Sequence, residues 1–233
     1  KDTSRYDLRV VAVNAEDNVA AQNFADSFET VPHGSASDYV DAICKIVTGE
    51  AVDLVLPCSD EEALALSAER EKIENAGAKL ACTDIETLKI FSDKSSTYST
   101  LEQNGIPVPD WCLVKTVQEF EDCVEKFISI HDEIAIRPAV SRGGRHVFII
   151  RKDISEVESY LGGFELHMSL ELFRNHYVTD SLKNLPLIIA ECMVTPAYDA
   201  DVLAWQGEAI HVVPRTRIDH TGNSQGYIIE EQP

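Results

Sequence analysis

The stretch Ile134–Lys152, IAIRPAVSRGGRHVFIIRK, is the part of the sequence that most constrains the fold. It contains five basic residues and neither Asp nor Glu, whereas the whole chain carries 20 Lys and Arg against 40 Asp and Glu. Two short apolar runs, Ile134–Pro138 and Val147–Ile150, flank a central SRGGR segment at 141–145. Because two such runs joined by a turn containing glycine are typical of a hairpin, the stretch predicts two antiparallel strands.

The turn of this hairpin has the composition of an anion-binding loop. Adjacent glycines at 143 and 144 let backbone N–H groups approach an anion, and the guanidinium groups of Arg142 and Arg145 can neutralise it. The segment therefore predicts a flap that closes over a polyphosphate. The alternative interpretation is a solvated basic hairpin that balances the acidic remainder. The segment matches neither the G-x-x-x-x-G-K-[ST] loop nor the G-x-G-x-x-G fingerprint.

The overall composition excludes several classes of function. The chain has 233 residues and a net charge of -20, with a pI of about 4.6. Such an acidic chain is repelled by phosphate backbones and anionic lipid, so we expect no nucleic-acid partner and no membrane partner. The six cysteines and seven histidines show no CxxC, HExxH or HxH spacing. We therefore expect no zinc site, and reduced thiols in a cytoplasmic protein.

The sequence before the hairpin predicts an α/β arrangement. Short apolar runs alternate with helical segments, which is typical of βαβ units and a parallel sheet. The predicted strands are Leu8–Val13, Val52–Leu56 (fully buried) and Lys79–Cys82. The predicted helices are Val19–Phe28, Ser37–Val47 ended by Gly49, Glu61–Ala76 ended by Gly77, and Asp84–Phe91. Because no strand with a Gly-rich turn precedes Leu8, the first strand of a Rossmann-like sheet is expected to be missing.

Beyond the proline-rich segment Ile106–Pro109 the pattern changes to α+β. Besides the hairpin, the predicted strands are Trp111–Val114, Leu187–Cys192, Asp201–Trp205 and Ala209–Val213, with a turn at Gln206-Gly207. The predicted helices are Asp93–Asn104, Val117–Ile128 and Ile154–Leu161. No closing element is predicted after Arg217.

Several features, taken in order, resemble the ATP-grasp superfamily, most closely its carbamoyl-phosphate-synthase-like members. They are Asp93-Lys94 opening a helix that ends in GIPVP, Arg137-Pro138 leading into Gly143-Gly144, the IIAE run ending at Glu191, and the YDADVL run at 198–203. The VDLVLPCSD segment at 52–60 is similar to the Rossmann-like domain that precedes the ATP-grasp domain in that family. The resemblance implies an α/β fold with a Rossmann-like parallel sheet at 1–91. An α+β ATP-grasp domain would follow, with its helix and lid subdomain at 92–190 and the start of its C-terminal subdomain at 191–233, incomplete at the C-terminus.

The resemblance also implies a site for the phosphates of ATP. Lys94 would reach the nucleotide phosphates, and Arg137 stands where many members have lysine. A planar guanidinium there could clamp two phosphate oxygens. Arg142, Gly143 and Gly144 would close over the β- and γ-phosphates. The alternative interpretation of Lys94 is an ordinary lysine on the surface of a helix. The alternative for Arg137 is an arginine that forms an ion pair with one of the many acidic residues.

For the rest of the nucleotide, the resemblance implies a hinge and a ribose contact. The backbones of Glu191 and Met193 would bind the adenine edge, while Met193 and Ile136 would supply apolar faces. Either Asp199 or Asp201 would accept from the ribose hydroxyls. The alternative interpretation of Met193 is a buried core residue that does not contact a nucleotide.

Two further implications concern the reacting groups. Arg215 and Arg217 would orient an acyl phosphate or an anionic substrate, or else are solvated arginines after a strand. The family binds Mg²⁺ through an acidic residue and a later E-x-N pair. The glutamates that follow Arg217, Glu230 and Glu231, lie in no predicted strand, so the metal ligands are expected outside this chain.

The sequence therefore favours an ATP-dependent ligase that uses ATP, Mg²⁺ and a small carboxylate substrate and acts through an acyl phosphate. A non-catalytic nucleotide-binding or regulatory module of the same fold is the second hypothesis. A purely structural acidic domain is the third. The resemblance leaves room for a homo-oligomer.

Overall fold

The chain is described here from a computed structural model. The structure describes residues 7–17, 19–141, 146–160, 165–193, 198–217 and 227–229. The chain divides into two compact units, Lys1–Ser92 and Asp93–Pro233.

The first unit contains short parallel strands and helices. Its strands are Val11–Asn14 (β1), Ser27–Thr30 (β2), Leu54–Val55 (β3) and Lys79–Leu80 (β4). Its helices are Tyr39–Glu50 (α1), Asp60–Ala68 (α2), Arg70–Ala76 (α3) and Ile85–Ser92 (α4). β1 pairs with β2 and β3 pairs with β4, both in parallel. The predicted parallel direction is confirmed, and in the described residues the strands form two separate two-stranded sheets.

The core of this unit is built on the apolar face of α1. Tyr39, Val40, Ile43 and Val47 recur at helical spacing and are all buried. They pack with residues of α2, α3 and β4 in one cluster. Burial of the Tyr39 hydroxyl, with the Glu62 carboxylate and Cys58 nearby, raises the pKa of Tyr39 well above its usual range.

Three sequence predictions for this unit are wrong. The alanine-rich segment Val19–Phe28 is not an α-helix, because only a 3₁₀ turn at Ala20–Asn23 forms before the chain enters β2. α1 continues past Gly49 to Glu50 and is capped by Ala51, which adopts the left-handed conformation with φ 51°. The fully buried strand predicted at Val52–Leu56 is reduced to the two residues of β3, and Leu54 and Leu56 are both exposed.

The long helix predicted at Glu61–Ala76 is divided into α2 and α3. The break falls at Glu69, whose φ of -119° is not helical. Ser59 caps the N-terminus of α2 in a capping box with Glu62. Gly77 ends α3 with φ 116°, as predicted, because that conformation favours glycine.

The second unit opens with a helix and contains two sheets. Its helices are Lys94–Gln103 (α5), Val117–Ile130 (α6), Leu170–His176 (α7) and Val178–Leu182 (α8). The strands of its larger sheet are Trp111–Val114 (β5), Glu133–Pro138 (β6), Val147–Arg151 (β7), Glu158–Tyr160 (β8), Glu165–Met168 (β9) and Leu187–Glu191 (β10). They are ordered β5-β10-β6-β7-β9-β8, with only β7 and β9 parallel. The antiparallel pairing of β6 with β7 confirms the predicted hairpin strands.

The two faces of the six-stranded sheet pack against different elements. Ile134 and Ile136 of β6 and Ile189 of β10 lie on one face, in the main core with α6 and α7. Ile188 and Ala190 lie on the opposite face, in a smaller cluster with residues that include Tyr98 of α5. Successive residues of a strand point to opposite faces, so this division follows from the alternation along β6 and β10.

A separate three-stranded sheet follows. It consists of Tyr198–Trp205 (β11), Glu208–Arg217 (β12) and Tyr227–Ile229 (β13), all antiparallel in that order. The predicted turn at Gln206-Gly207 joins β11 to β12, and both residues have positive φ. β13 corrects the expectation that no element follows Arg217. Its Tyr-Ile-Ile sequence suits a strand and pairs with β12 directly before Glu230.

Two further expectations are corrected in this unit. The helix predicted at Ile154–Leu161 is replaced by β8, which pairs with β9. The expectation of six reduced thiols is wrong for Cys112 of β5 and Cys123 of α6, which form a disulfide across a Cα separation of 7.1 Å. The other four cysteines are free thiols. Among the described residues, no helix combines the length and apolarity that a bilayer span requires.

Candidate functional site

Helix α5 places two of its side chains against β6. Its N-terminus is fixed by Asp93, whose carboxylate accepts hydrogen bonds from the N–H of Ser95 at 2.8 Å and from the Ser95 hydroxyl at 2.7 Å. Burial tends to raise the pKa of Asp93, but hydrogen bonds from Ser95 and Ser96 outweigh it and leave that pKa below its usual value. Lys94 and Tyr98 follow at positions i and i+4, which share one face of a helix.

Lys94 is anchored at the point where β6 leaves the sheet. Its backbone N–H donates to the carbonyl of Ala139 at 3.0 Å. Its ammonium group donates to the Ser141 carbonyl at 2.7 Å and to the Ser141 hydroxyl at 3.0 Å. The amine therefore lies at the base of the predicted flap. The flap residues Arg142, Gly143 and Gly144 themselves fall outside the described part of the chain.

Arg137 lies beside this lysine on β6. One terminal nitrogen of its guanidinium donates to the Tyr98 hydroxyl, and its Cζ is 5.9 Å from the centre of the Tyr98 ring. Its Nε is buried and has no hydrogen-bond acceptor within the described part of the chain. A buried donor left unpaired costs about 1–3 kcal/mol, so this N–H favours a ligand that offers an acceptor. The structure thus places Lys94 and Arg137, two cations, between α5 and the end of β6.

Ile136 does not join these cations. Its side chain is fully buried in the main core on the helix-covered face of the sheet. Because Ile136 and Arg137 are consecutive residues of one strand, their side chains point to opposite faces. The expectation that Ile136 supplies an apolar face to an adenine is therefore wrong. Ile188 and Ala190 of β10 are among the apolar residues that lie on the Tyr98 side.

The end of β10 carries the two residues predicted to form a hinge. The backbone N–H of Glu191 donates to the carbonyl of Asp110 at 2.9 Å, so a ligand contact from the Glu191 backbone would have to come from its carbonyl. Met193 follows the strand with 64% of its surface exposed, which excludes the alternative of a core position. An exposed thioether next to the end of a strand remains accessible to a ligand.

Cys192, between these two residues, has a thiol with a raised pKa. Burial raises that pKa to about 11, and the nearby Glu133 and Glu165 carboxylates add to the effect. Such a shift disfavours the thiolate, which is the nucleophilic form of cysteine.

The remaining predicted site residues lie on the three-stranded sheet. Asp199 and Asp201 are two positions apart on β11 and therefore share one face. Arg215 of β12 donates to the Asp201 carboxylate at 2.8 Å. Arg217 lies at the end of β12, and its side chain is outside the described part. The structure thus groups Asp201 with Arg215.

Comparison with known proteins identifies the fold. Residues 1–81 match the family model of the PylC-like N-terminal domain. The N5-carboxyaminoimidazole synthetase of Staphylococcus aureus complexed with ADP matches 92% of this chain and 49% of its own, at 10% identity and a TM-score of 0.64. The chain has the ATP-grasp fold.

Two other solved structures with the ATP-grasp fold are similar to this chain. The biotin carboxylase domain of 2-oxoglutarate carboxylase from Hydrogenobacter thermophilus, with MgADP, ADP and bicarbonate, matches 94% of this chain and 47% of its own, at 14% identity and a TM-score of 0.61. The L-amino acid ligase of Bacillus licheniformis matches 97% of this chain and 49% of its own, at 15% identity and a TM-score of 0.59. The chain therefore spans about half the length of these proteins. No curated protein matches it significantly.

Two residues of the site were not predicted from the sequence. Tyr98 orients Arg137, and Ser141 holds Lys94. The i, i+4 spacing of Lys94 and Tyr98 in the sequence could have indicated that Tyr98 lies on the same helix face as Lys94. Ser141 adjoins the glycine pair, but its role depends on how α5 packs against β6, which no local pattern reports.

Proposed function

We propose that this chain carries the ATP site of an ATP-dependent ligase, which joins a small carboxylate to an amine or another nucleophile through an acyl phosphate. The ATP-grasp fold supports this proposal, as do two of the similar structures, a synthetase complexed with ADP and an amino acid ligase. Membership among the carbamoyl-phosphate-synthase-like proteins, a cytoplasmic location and a homo-oligomer stay predictions from the sequence.

The observation that carries the proposal is the placement of two cations, Lys94 and Arg137, at α5 and β6 in an otherwise acidic chain. Lys94 is held by Ser141 and Arg137 by Tyr98, and among the described residues the Arg137 Nε has no acceptor. A triphosphate would supply acceptors to both groups. Charge-assisted hydrogen bonds of this type are roughly twice as strong as neutral ones.

The reaction needs positioning and charge neutralisation more than covalent help from the protein. A substrate carboxylate oxygen would attack the γ-phosphorus, and the bond to the β-phosphate oxygen would break to release ADP. The amine would then displace phosphate from the acyl carbon. Lys94 and Arg137 would neutralise the phosphates, while Arg215 and Arg217 would orient the anionic substrate or the acyl phosphate.

The nucleoside end would contact the hinge and the exposed sheet. The Glu191 carbonyl and the Met193 backbone would bind the adenine edge, and Asp199 or Asp201 would accept from the ribose hydroxyls. Mg²⁺ would supply positive charge on the phosphate oxygens. Among the described residues, Lys94 and Arg137 would bind the phosphates, which fits a nucleotide. We place the Mg²⁺ ligands outside the described residues.

The experiment is a nucleotide-dependent thermal shift with ATP, ADP and GTP, each with and without Mg²⁺, followed by calorimetric titration. A ligand that binds only the folded state raises the stability by RT ln(1+[L]/Kd), so weak binding is detectable. We expect ATP and ADP to raise the unfolding temperature. Arg137→Ala should weaken ATP binding by about tenfold or more, given about 1.5–3 kcal/mol for a hydrogen bond to a charged group.

Arg151→Ala is the matched control for this test. Arg151 pairs with Asp153 at 2.8 Å and with Glu133 at 3.3 Å. It lies opposite Glu133 in the register of β6 and β7, at the other end of β6 from Arg137. We expect ATP affinity to change less than about twofold in this variant, since its charge is already neutralised. If both variants lost the same ATP affinity, the effect would come from the overall charge of the chain, and the proposed site would be refuted.

A further inference from the structure

Three potential metal ligands converge at one end of the six-stranded sheet, away from the Lys94–Arg137 pair. Asp110 directly precedes β5, His131 ends α6, and Glu191 ends β10. One ligand atom from each residue lies within 4.8 Å of the other two. We propose that Asp110, His131 and Glu191 form a binding site for one divalent transition-metal ion such as Zn²⁺.

The backbone brings these three residues together. The N–H of Glu191 donates to the Asp110 carbonyl at 2.9 Å, which ties the end of β10 to the start of β5. The N–H of His131 donates to the Phe127 carbonyl at 2.8 Å, and its ring packs 5.6 Å from the Phe127 ring. The backbone positions of the three residues are therefore fixed at the ends of β5, α6 and β10.

The side chains face one another at distances close to those of a metal site. The His131 Nε2 is 3.4 Å from an Asp110 carboxylate oxygen, and its Nδ1 is 3.7 Å from a Glu191 carboxylate oxygen. Ligand atoms around a tetrahedral Zn²⁺ with bonds of about 2.0–2.1 Å are separated by about 3.3 Å. A rotation of the exposed Asp110 side chain would complete the set.

The charge of the cluster favours a cation. Among the described residues, His131 is the only basic side chain within ion-pair distance of either carboxylate. The imidazole and glutamate side chains are 18% and 33% exposed, so the pair is partly shielded from water. With a neutral imidazole the cluster carries two negative charges, which one divalent ion would neutralise.

The ligand types select the class of ion. An imidazole nitrogen with two carboxylates suits Zn²⁺, Co²⁺ or Mn²⁺, whereas Mg²⁺ and Ca²⁺ favour all-oxygen sites. Three protein ligands would leave one tetrahedral position for water. This site shares Glu191 with the nucleotide proposal but uses its carboxylate, whereas the nucleotide would contact its backbone carbonyl.

The test is titration of the full chain with Co²⁺, followed by absorption spectroscopy, and with Zn²⁺, followed by calorimetry. We expect one Co²⁺ per chain, without the charge-transfer band of a thiolate ligand, so that binding at the free cysteines is distinguished. Asp110→Asn, His131→Gln and Glu191→Gln should each weaken binding by about tenfold or more. Because Asp110 is exposed, its variant keeps the test valid if either of the others fails to fold.

Two control variants separate this site from the acidic surface. Asp132→Asn removes a neighbouring carboxylate that pairs with Lys152 at 3.2 Å. His176→Gln removes an exposed imidazole elsewhere in the unit. Both should bind the metal within about twofold of the unchanged chain. No Co²⁺ binding, a thiolate band, or equal affinity in Asp110→Asn and Asp132→Asn would overturn the proposal and leave His131 as a bridge between two carboxylates.

Discussion

The Tyr98 hydroxyl is the group that fixes the direction of the Arg137 guanidinium. The ring of Tyr98 also packs against Trp111, with the centres 5.4 Å apart. A flexible arginine is thus held by an aromatic residue that is itself held by the sheet. A cation fixed before the ligand arrives loses less side-chain entropy on binding, which increases affinity.

We expect Tyr98→Phe to weaken ATP binding by about threefold to tenfold, the effect of one hydrogen bond worth about 0.5–1.5 kcal/mol. The ring stays, so the packing against Trp111 and the stability of the fold should change little. Calorimetric titration with ATP measures the effect. Tyr177→Phe is the control, because Tyr177 packs on Phe148 of the helix-covered face. Equal affinity in both variants would show that Tyr98 does not orient Arg137.

At the scale of the element, α5 depends on its N-cap. Asp93 accepts two backbone N–H groups, and its charge favours the positive end of the helix. The lowered pKa of Asp93 means that the ionised form is the stabilising form. That contribution is fully present above the unfolded pKa of about 3.9, and it is lost as the pH falls through the lower folded pKa.

We expect Asp93→Ala to lower the free energy of unfolding by about 1 kcal/mol at pH 7. Asp93→Asn keeps a capping oxygen without the charge, so its deficit should be smaller. That deficit should begin to shrink as the pH falls below about 4 and should vanish below the lowered folded pKa. Urea unfolding followed by tryptophan fluorescence measures this, because both tryptophans, Trp111 and Trp205, lie in the second unit. Asp122→Asn on the exposed side of α6 is the control. A deficit of Asp93→Asn that is independent of pH would contradict the role of the charge.

The disulfide that joins β5 to α6 gives a second prediction at this scale. Since Cys112 and Cys123 are bonded, the chain unfolded without reductant should expose four reactive thiols, and six after reduction. A colorimetric thiol count in denaturant distinguishes the two. Six thiols before reduction would mean that the two sulfurs are only packed in contact.

Elements with a strong local pattern were predictable from the sequence, and elements that depend on distant partners were not. α6 combines a regular apolar face with a capping box at Thr116 and Glu119, and it was predicted within two residues. The first two residues of β2, Ser27 and Phe28, were assigned to a helix, because their strand state arises from pairing with β1 rather than from the alanine-rich segment before them. The site shows the same division. Lys94 and Arg137 could be named from local motifs, whereas the exclusion of Ile136 depends on which face of β6 meets α6.

At the scale of the whole molecule, the net charge of -20 opposes any anionic ligand, and the Lys94–Arg137 pair attracts it. Salt weakens both effects, since charges separated by more than about 8 Å are largely screened at 0.15 M. We therefore expect ATP affinity to change less than about threefold between low and moderate salt. Titrations at three salt concentrations test this. A steep loss of affinity with salt would favour the alternative of a solvated basic hairpin.

The sheet of β11 and β12 exposes apolar side chains on both faces. All eight residues of β11 are exposed, and Val202 and Leu203, although adjacent on the strand, both present large apolar surfaces to solvent. At neutral pH the acidic surface keeps two copies of the chain apart. Near the pI of about 4.6 that repulsion disappears while the apolar faces remain. The colloidal stability of this chain therefore depends on its ionised carboxylates, and mildly acidic buffers are the conditions in which it would precipitate first.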